Sequence, residues 1–189
     1  MVDNISLMRK AKALLTNNWI NAVVATLIYV AIMGAASATY FGELVLVGPL
    51  TFGYMLFIAC MVDTRANNLN LLFKGFDRFV ETLIAGLLYS IAVSIGYVFL
   101  IVPGIIAMLG LSMTFFIMVD DPNISGIDAL KMSWNLMNGH KWDLFCLWFR
   151  FLGWALLCIL TLGIGFLWLQ PYMTAATLNF YRNIRYGTY

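Results

Sequence analysis

The sequence predicts an all-α polytopic membrane protein: six transmembrane helices as three hairpins, each hairpin preceded by a short amphipathic interfacial helix. Three observations carry this. The 189 residues are 62% hydrophobic and only 11% charged, where a soluble domain is about 45–50% apolar and about 25% charged. Apolar residues run in charge-free windows long enough to cross a bilayer. The Lys and Arg residues collect in alternate gaps between those windows. The same composition argues against a soluble enzyme and a disordered tail. A net charge of +2 is too small for a polyanion-binding surface, so no nucleic-acid partner is expected.

The charge-free windows are Ala13–Gly42, Leu44–Val62, Thr82–Val119 and Phe151–Tyr181. A span needs about 20 residues at about 1.5 Å each. The third window, at 38 residues, is too long for one helix and suits two. Pro103-Gly104 near its middle supplies the turn. The last window joins Leu144–Arg150 and breaks near Leu162–Gly165. The spans expected are 18–39, 45–62, 79–101, 104–119, 143–162 and 165–182. They form a single transmembrane domain over 1–189, with hairpin units of about 1–63, 64–121 and 122–189.

Orientation follows from the cations. With the N-terminus in the cytoplasm, Arg9, Lys10, Lys12, Arg65, Lys74, Arg78, Lys131, Lys141, Arg182 and Arg185 all face inside. Glu43 is the one charge placed outside. Both termini are then cytoplasmic. Residues 36–38 (Ala-Ser-Ala) fit a signal-cleavage rule, but the apolar stretch runs on through Tyr40 and Phe41, so the segment reads as a retained span.

Each hairpin follows a short amphipathic stretch. The first sets Ile5, Met8, Ala11 and Leu15 against Arg9, Lys10 and Lys12. The second sets Leu69, Leu72, Phe73 and Phe76 beside Lys74. The third sets Ile127, Leu130, Trp134 and Met137 opposite Asp128, Lys131 and Asn135. Such stretches fit helices in the cytoplasmic interface. In the third, Ser125–Asp128 fits a capping box and Gly139 a C-terminal cap. Aromatics Trp19, Phe79 and Trp142 open the first spans. Pro49, Pro103 with Gly104, and Pro171 are placed at the hairpin turns. Three copies of one unit around a pseudo-three-fold axis would account for this recurrence.

Several strings carry a resemblance: Gly48–Tyr54, Leu72–Phe76, Val102–Ala107, Asp120–Asn123 running on to Met137–Phe145, then Leu152–Trp154 and Leu160–Tyr172. Together they resemble the uncharacterised bacterial integral membrane family called domain of unknown function nine-seventy-five. The resemblance covers most of the chain and implies a bacterial plasma membrane location. It implies no activity, since a fold alone does not give one. Arg150 stands where the family pattern leads one to expect a small polar residue.

Candidate chemistry is sparse. Cys60, Cys146 and Cys158 lie in apolar stretches without metal-ligand spacing. Arg150 is the costliest residue, a cation inside a span. Its structural reading is a reach back toward Asp143, about 10 Å away along the helix axis. Its functional reading is a contact to an anionic lipid headgroup or an acidic partner, with Asp143, His140, Lys141 and Lys131 nearby in sequence. Glu81 has Arg78 and Lys74 on neighbouring turns. His140 with the carboxylates around it reads as loop and cap chemistry, not a metal site. No cofactor is expected. No nucleophile elbow, P-loop or dinucleotide turn occurs, so an enzyme is not expected.

The leading functional expectation is a non-enzymatic membrane protein that binds lipid or a membrane-active or partner component, in envelope homeostasis or immunity. The alternatives are a small exporter of a hydrophobic or amphipathic substrate, and a structural subunit. For the last, Gly86, Gly96, Gly153 and Ala175 would form contact faces with other membrane proteins or with a second copy.

Overall fold

The fold is a bundle of apolar helices in a computed structural model that describes residues 4–16, 18–38, 40–64, 68–99, 101–161 and 163–187. All regular structure among these residues is helical: α1 (Asn4–Leu15), α2 (Trp19–Ser37), α3 (Tyr40–Thr64), a 3-10 helix (Leu69–Phe76), α4 (Phe79–Phe99), α5 (Ile101–Leu111), α6 (Thr114–Asp120), α7 (Gly126–Leu136), α8 (Lys141–Leu160) and α9 (Phe166–Tyr186). Among the described residues, five stretches are long and apolar enough to cross a membrane: Trp19–Ser37, Gly42–Asp63, Phe79–Val98, Ile101–Asp120 and Lys141–Leu160. The sixth expected span, 165–182, falls within α9. Gln170, Asn179, Arg182, Asn183 and Arg185 make that helix more polar than the other five. Arg65 and Leu162 lie outside the described residues.

The helices divide into inner and outer sets. About three-fifths of the window Gly42–Asp63 is buried (61%), and 56% of Ile101–Asp120, against 17–22% for the other three. The outward faces are apolar: Leu27 and Val30 on α2, Ile91 and Ile95 on α4, and Phe149, Leu156 and Leu160 on α8 are all exposed. In water such a surface would be an aggregation liability, whereas in a bilayer it is solvated by lipid tails. Those long apolar helices point to a membrane location.

Neighbour relations run in a cycle. Helix α2 packs on α3 and α9, α4 on α5 and α3, and α8 on α9 and α5. The short elements follow the same order: α1 packs on α9, the 3-10 helix on α3, and α7 on α6 and α4. The three short elements therefore do not stand apart as bare amphipathic stretches. Leu7, Ala11 and Leu15 of α1, and Leu72 of the 3-10 helix, are buried against the bundle. The buried face of α7 is Gly126, Ala129, Leu130 and Ser133, with Met137 just beyond. Ile127 and Trp134, expected on the apolar face, are instead half exposed, because small residues allow a closer approach than large ones.

Backbone proximity fixes the centre. A Cβ at Gly86 would stand 2.7 Å from the Gly48 Cα, and one at Gly48 would strike the Thr82 carbonyl. A Cβ at Gly53 would strike the Leu72 carbonyl of the 3-10 helix. Gly96 meets Gly104 at 2.7 Å in the same sense. Gly86 and Gly96, offered as faces for other subunits, are thus used within the chain, and Ala175 is fully buried. Of the four, Gly153 alone has open space beside it.

The proline expectation needs correction. Pro49 lies inside α3 and Pro171 inside α9, so neither marks a hairpin turn. Pro103 and Gly104 lie in the first turn of α5, where the missing proline N–H has no intrahelical acceptor to lose. The α8–α9 turn instead uses Gly163, with φ +84° and its N–H donating to Cys158 O at 3.0 Å.

The N-cap half of the expected capping box forms, and the Asp128 carboxylate takes the Ser125 hydroxyl. Asp128 N–H donates to Ser125 Oγ at 3.2 Å, and Ser125 Oγ–H donates to Asp128 Oδ2 at 2.8 Å. The Ser125 hydrogen bond and Lys131 hold the Asp128 carboxyl below the usual carboxylate range. A depressed folded-state value means stabilisation present above the unfolded pKa and lost as pH falls through the folded one. Ser125→Ala should therefore lower Tm at pH 7, and the gap to the parent should narrow below about pH 4, read by thermal unfolding in detergent. In the same assay Gly53→Ala should destabilise by at least ~1–3 kcal/mol through overpacking. Gly34→Ala, with open space around it, should be neutral or stabilising by up to ~1 kcal/mol.

Candidate functional site: a cavity among the interrupted helices

Three inner helices carry a break or a proline, and all three border one space. Pro49 removes an N–H from α3, and Pro171 one from α9. The third interruption separates α5 from α6 at Ser112-Met113. There the Ser133 hydroxyl of α7 enters the ladder. It donates to Gly110 O at 2.9 Å and accepts from Met113 N–H at 3.2 Å, fully buried. A side chain inserted between a carbonyl and an amide is a recognised cause of a helix bend.

The space enclosed is a cavity of about 230 Å³, partly open on one side. Helix α3 contributes Thr51 and Met55, α4 contributes Tyr89, and the α5–α6 break contributes Ser112. Phe115 and Phe116 come from α6 and Trp148 from α8. Helix α9 presents Gln170, Met173, Thr174 and Thr177, one face of a helix at spacings of three and four. The wall is mainly apolar, and no Asp, Glu, Lys, Arg or His among the described residues lines it.

Below the cavity the inner helices end in a polar clasp. Phe116 stacks on Tyr181 with ring centroids 5.7 Å apart. The hydroxyls of Tyr181 and Tyr186 both donate to Asp120 Oδ2 at 2.8 Å. Arg185 lies 3.6 Å from the same oxygen, donates to the Tyr181 hydroxyl, and stands over both rings. Arg182 pairs with Asp63 at 2.6 Å. Carboxylates from α3 and α6 thus meet two arginines of α9.

The residues singled out from sequence fall elsewhere. Arg150 is exposed on α8 and bonds to no described residue. The expected reach toward Asp143 is not made; Asp143 lies 3.6 Å from His140 Nδ1 at the start of α8. Lys131 pairs with Asp128 on the surface, and Lys141 stands over the Trp134 ring at 4.4 Å. Arg9, Lys10, Lys12 and Lys74 are exposed. Glu81 and Arg78 do not pair with each other. Glu81 Oε2 accepts from Gly126 N–H at 2.8 Å, and Arg78 Nη2 donates to Ile124 O at 2.7 Å. Both tie α4 to the entry of α7, with Glu81 at a helix N-terminus, where the dipole favours an anion. No group of three His, Cys, Asp or Glu side chains among the described residues is placed to hold a metal.

Sequence reasoning does not single out Ser112, Gln170, Thr174, Thr177 or Ser133. A signal for the clasp was available: Met-Val-Asp occurs at 61–63 and again at 118–120, in the last turns of α3 and α6 alike.

The profile of the family described as Protein of unknown function (DUF975) matches residues 97–187, from the end of α4 through α9. The resemblance read from the sequence is supported over that region, which holds the α5–α6 break, α7 and the α9 face of the cavity. The strings Gly48–Tyr54 and Leu72–Phe76 lie outside it. No curated protein and no solved structure matches the chain.

Removing the Ser133 hydroxyl leaves a buried amide and carbonyl unpaired, so Ser133→Ala should cost ~1–3 kcal/mol, measured by thermal unfolding in detergent. In the clasp, Asp120→Ala strips the acceptor from two hydroxyl donors, one on the buried Tyr181, and the ion-pair partner from Arg185. It should cost ~1–3 kcal/mol. Arg182→Ala breaks a more exposed pair and should cost ~0–1 kcal/mol. Equal losses in the two variants would contradict this ranking.

Proposed function

We propose that the chain is a non-enzymatic bacterial plasma-membrane protein whose task is to bind a membrane-dissolved component inside its helix bundle, in envelope homeostasis or immunity. The observation that carries the reading is the convergence of Pro49, the α5–α6 break and Pro171 on one cavity. Backbone irregularity at membrane depth is tolerated where it is buried in protein or lines a cavity, and in transporters it marks binding sites. Here the irregularity has a neighbouring cavity in all three inner helices.

On this reading α9 is the sixth span, and the chain is three hairpins about a pseudo-three-fold axis. The cyclic order of packing supports that arrangement. Each outer helix touches its own inner partner and the inner helix of the preceding hairpin. The three short elements repeat the offset. Both termini are cytoplasmic, with the clasp at the cytoplasmic end. Exposed Ile5, Phe73 and Trp134 beside Lys10, Lys74 and Lys131 fit elements that rest against a membrane surface.

A second reading, export of a hydrophobic or amphipathic substrate, draws on the same interruptions, because broken inner helices permit alternating access. Arg150 is the competing locus for binding, as an exposed cation suited to an anionic headgroup.

Native mass spectrometry of protein purified in mild detergent separates the loci. A bound adduct should survive Arg150→Ala and be lost in Thr174→Phe, which fills the cavity. Loss in Arg150→Ala alone would move the site to α8. Flux from proteoliposomes loaded with the adduct compound would decide for export, and binding without flux for the first reading.

A further inference from the structure

We propose that the cavity selects a neutral amphipathic molecule: an uncharged hydrogen-bonding head, such as an amide or alcohol, on a short aliphatic or aromatic body. The inference rests on the reading that the bundle binds a membrane-dissolved component, and it names the chemical class.

Apart from Thr51, whose hydroxyl shares a hydrogen bond with the Tyr29 hydroxyl at 3.3 Å, the polar groups of the wall fall into two sets. Ser112 Oγ–H donates to Leu109 O at 2.7 Å, Thr174 Oγ–H to Gln170 O at 3.0 Å and Thr177 Oγ–H to Met173 O at 2.8 Å. Trp148 Nε1–H donates to Thr177 Oγ1 at 3.4 Å. These donors are engaged, and their oxygens keep only acceptor capacity. The Gln170 carboxamide and the Tyr89 hydroxyl form the second set. Both residues line the cavity, and neither side chain hydrogen-bonds to a described residue. Gln170 offers two N–H donors and a carbonyl, and Tyr89 an O–H that also accepts. They come from α9 and α4, so the cavity wall presents unpaired donors and acceptors from two helices.

A half-buried polar group without a partner is costly away from water, and a complementary head removes that cost. The head must both accept and donate, as an amide or alcohol does. A carboxylate or ammonium would meet no countercharge, since no Asp, Glu, Lys, Arg or His among the described residues lines the wall. An unpaired ion in a low-dielectric site is penalised far more than a neutral dipole. The clasp charges do not alter this, because Asp63 and Asp120 are each held by an arginine. Met55, Leu111, Phe115, Phe116 and Met173 supply the apolar contact for the body. At about 230 Å³ the space lies below the usual ~300–1,000 Å³ of ligand pockets. It takes the head and the first part of a chain, and the remainder leaves by the open side.

The test uses the full chain in lipid nanodiscs with a diazirine-bearing photoreactive octanol, and the labelled peptides are mapped by mass spectrometry. Label should concentrate on residues 111–116 and 170–177. Octanamide should compete for it at least tenfold better than octanoate at matched bilayer concentration. Gln170→Leu combined with Tyr89→Phe, nearly volume-conserving changes, should weaken octanamide competition roughly tenfold while labelling persists. Ser112→Phe should remove the label from the cavity. Equal competition by octanoate, or octanamide competition unchanged in the double variant, would overturn the neutral-head assignment and leave cavity binding standing. Label spread evenly over the lipid-facing side of α8, indifferent to Ser112→Phe, would overturn both.

Discussion

The bundle depends on how it satisfies backbone groups that its inner helices leave free. In a bilayer no water is at hand for an orphaned amide or carbonyl, and each one costs several kcal/mol by order of magnitude. The Ser133 hydroxyl answers this at the α5–α6 break by bridging Gly110 O and Met113 N–H. That bridge requires α7 to sit against the break. The position of α7 in turn is set by Glu81 accepting from Gly126 N–H and by Arg78 donating to Ile124 O. The opening in the inner wall is therefore held by an element outside it, and a shift of α7 would change the wall of the cavity.

Close packing supplies the rest of the framework. Apolar side chains gain little from burial when the alternative is a lipid tail, so association leans on backbone approach and hydrogen bonds. The contacts of Gly48 with Gly86 and Thr82, and of Gly53 with Leu72, show this in α3. Helix α3 touches α2, the 3-10 helix, α4, α6 and α9. Bulky residues such as Leu156 and Phe149 are left to the outer face of α8.

Much of the fold was legible because helix length and charge are local properties. The windows from Ala13 to Tyr181 located the long helices, although the one span expected at 104–119 is divided into α5 and α6, and Ser125 with Asp128 marked the start of α7. The site was less legible. Proline at a span end and proline within an inner helix look alike in sequence, and Pro49 and Pro171 were read as turns for that reason. Ser133 lies in a stretch whose sequence reads as interfacial, and nothing local says that its hydroxyl enters another helix. Arg150 drew notice as the costliest single residue, yet it stands exposed on α8 while the cavity is built from uncharged Gln, Thr, Ser and Tyr. Cost per residue locates isolated charges. It does not locate a site made of neutral groups that only tertiary packing brings together.

The clasp explains why α9 departs from its neighbours. Met-Val-Asp closes α6 and precedes the final Thr64 of α3, so Asp63 and Asp120 stand in last turns, where the helix dipole is already negative. A third helix ending the same way would bring a third carboxylate to one place, and like charges there would drive the ends apart. Helix α9 carries Arg182 and Arg185 instead, which pair with Asp63 and Asp120 and also complement its own C-terminal dipole. The same residues lower its apolar character, which is why α9 stands apart from the five more apolar stretches. A third carboxylate would be the more repulsive arrangement, and the two arginines instead draw the ends of α3, α6 and α9 together.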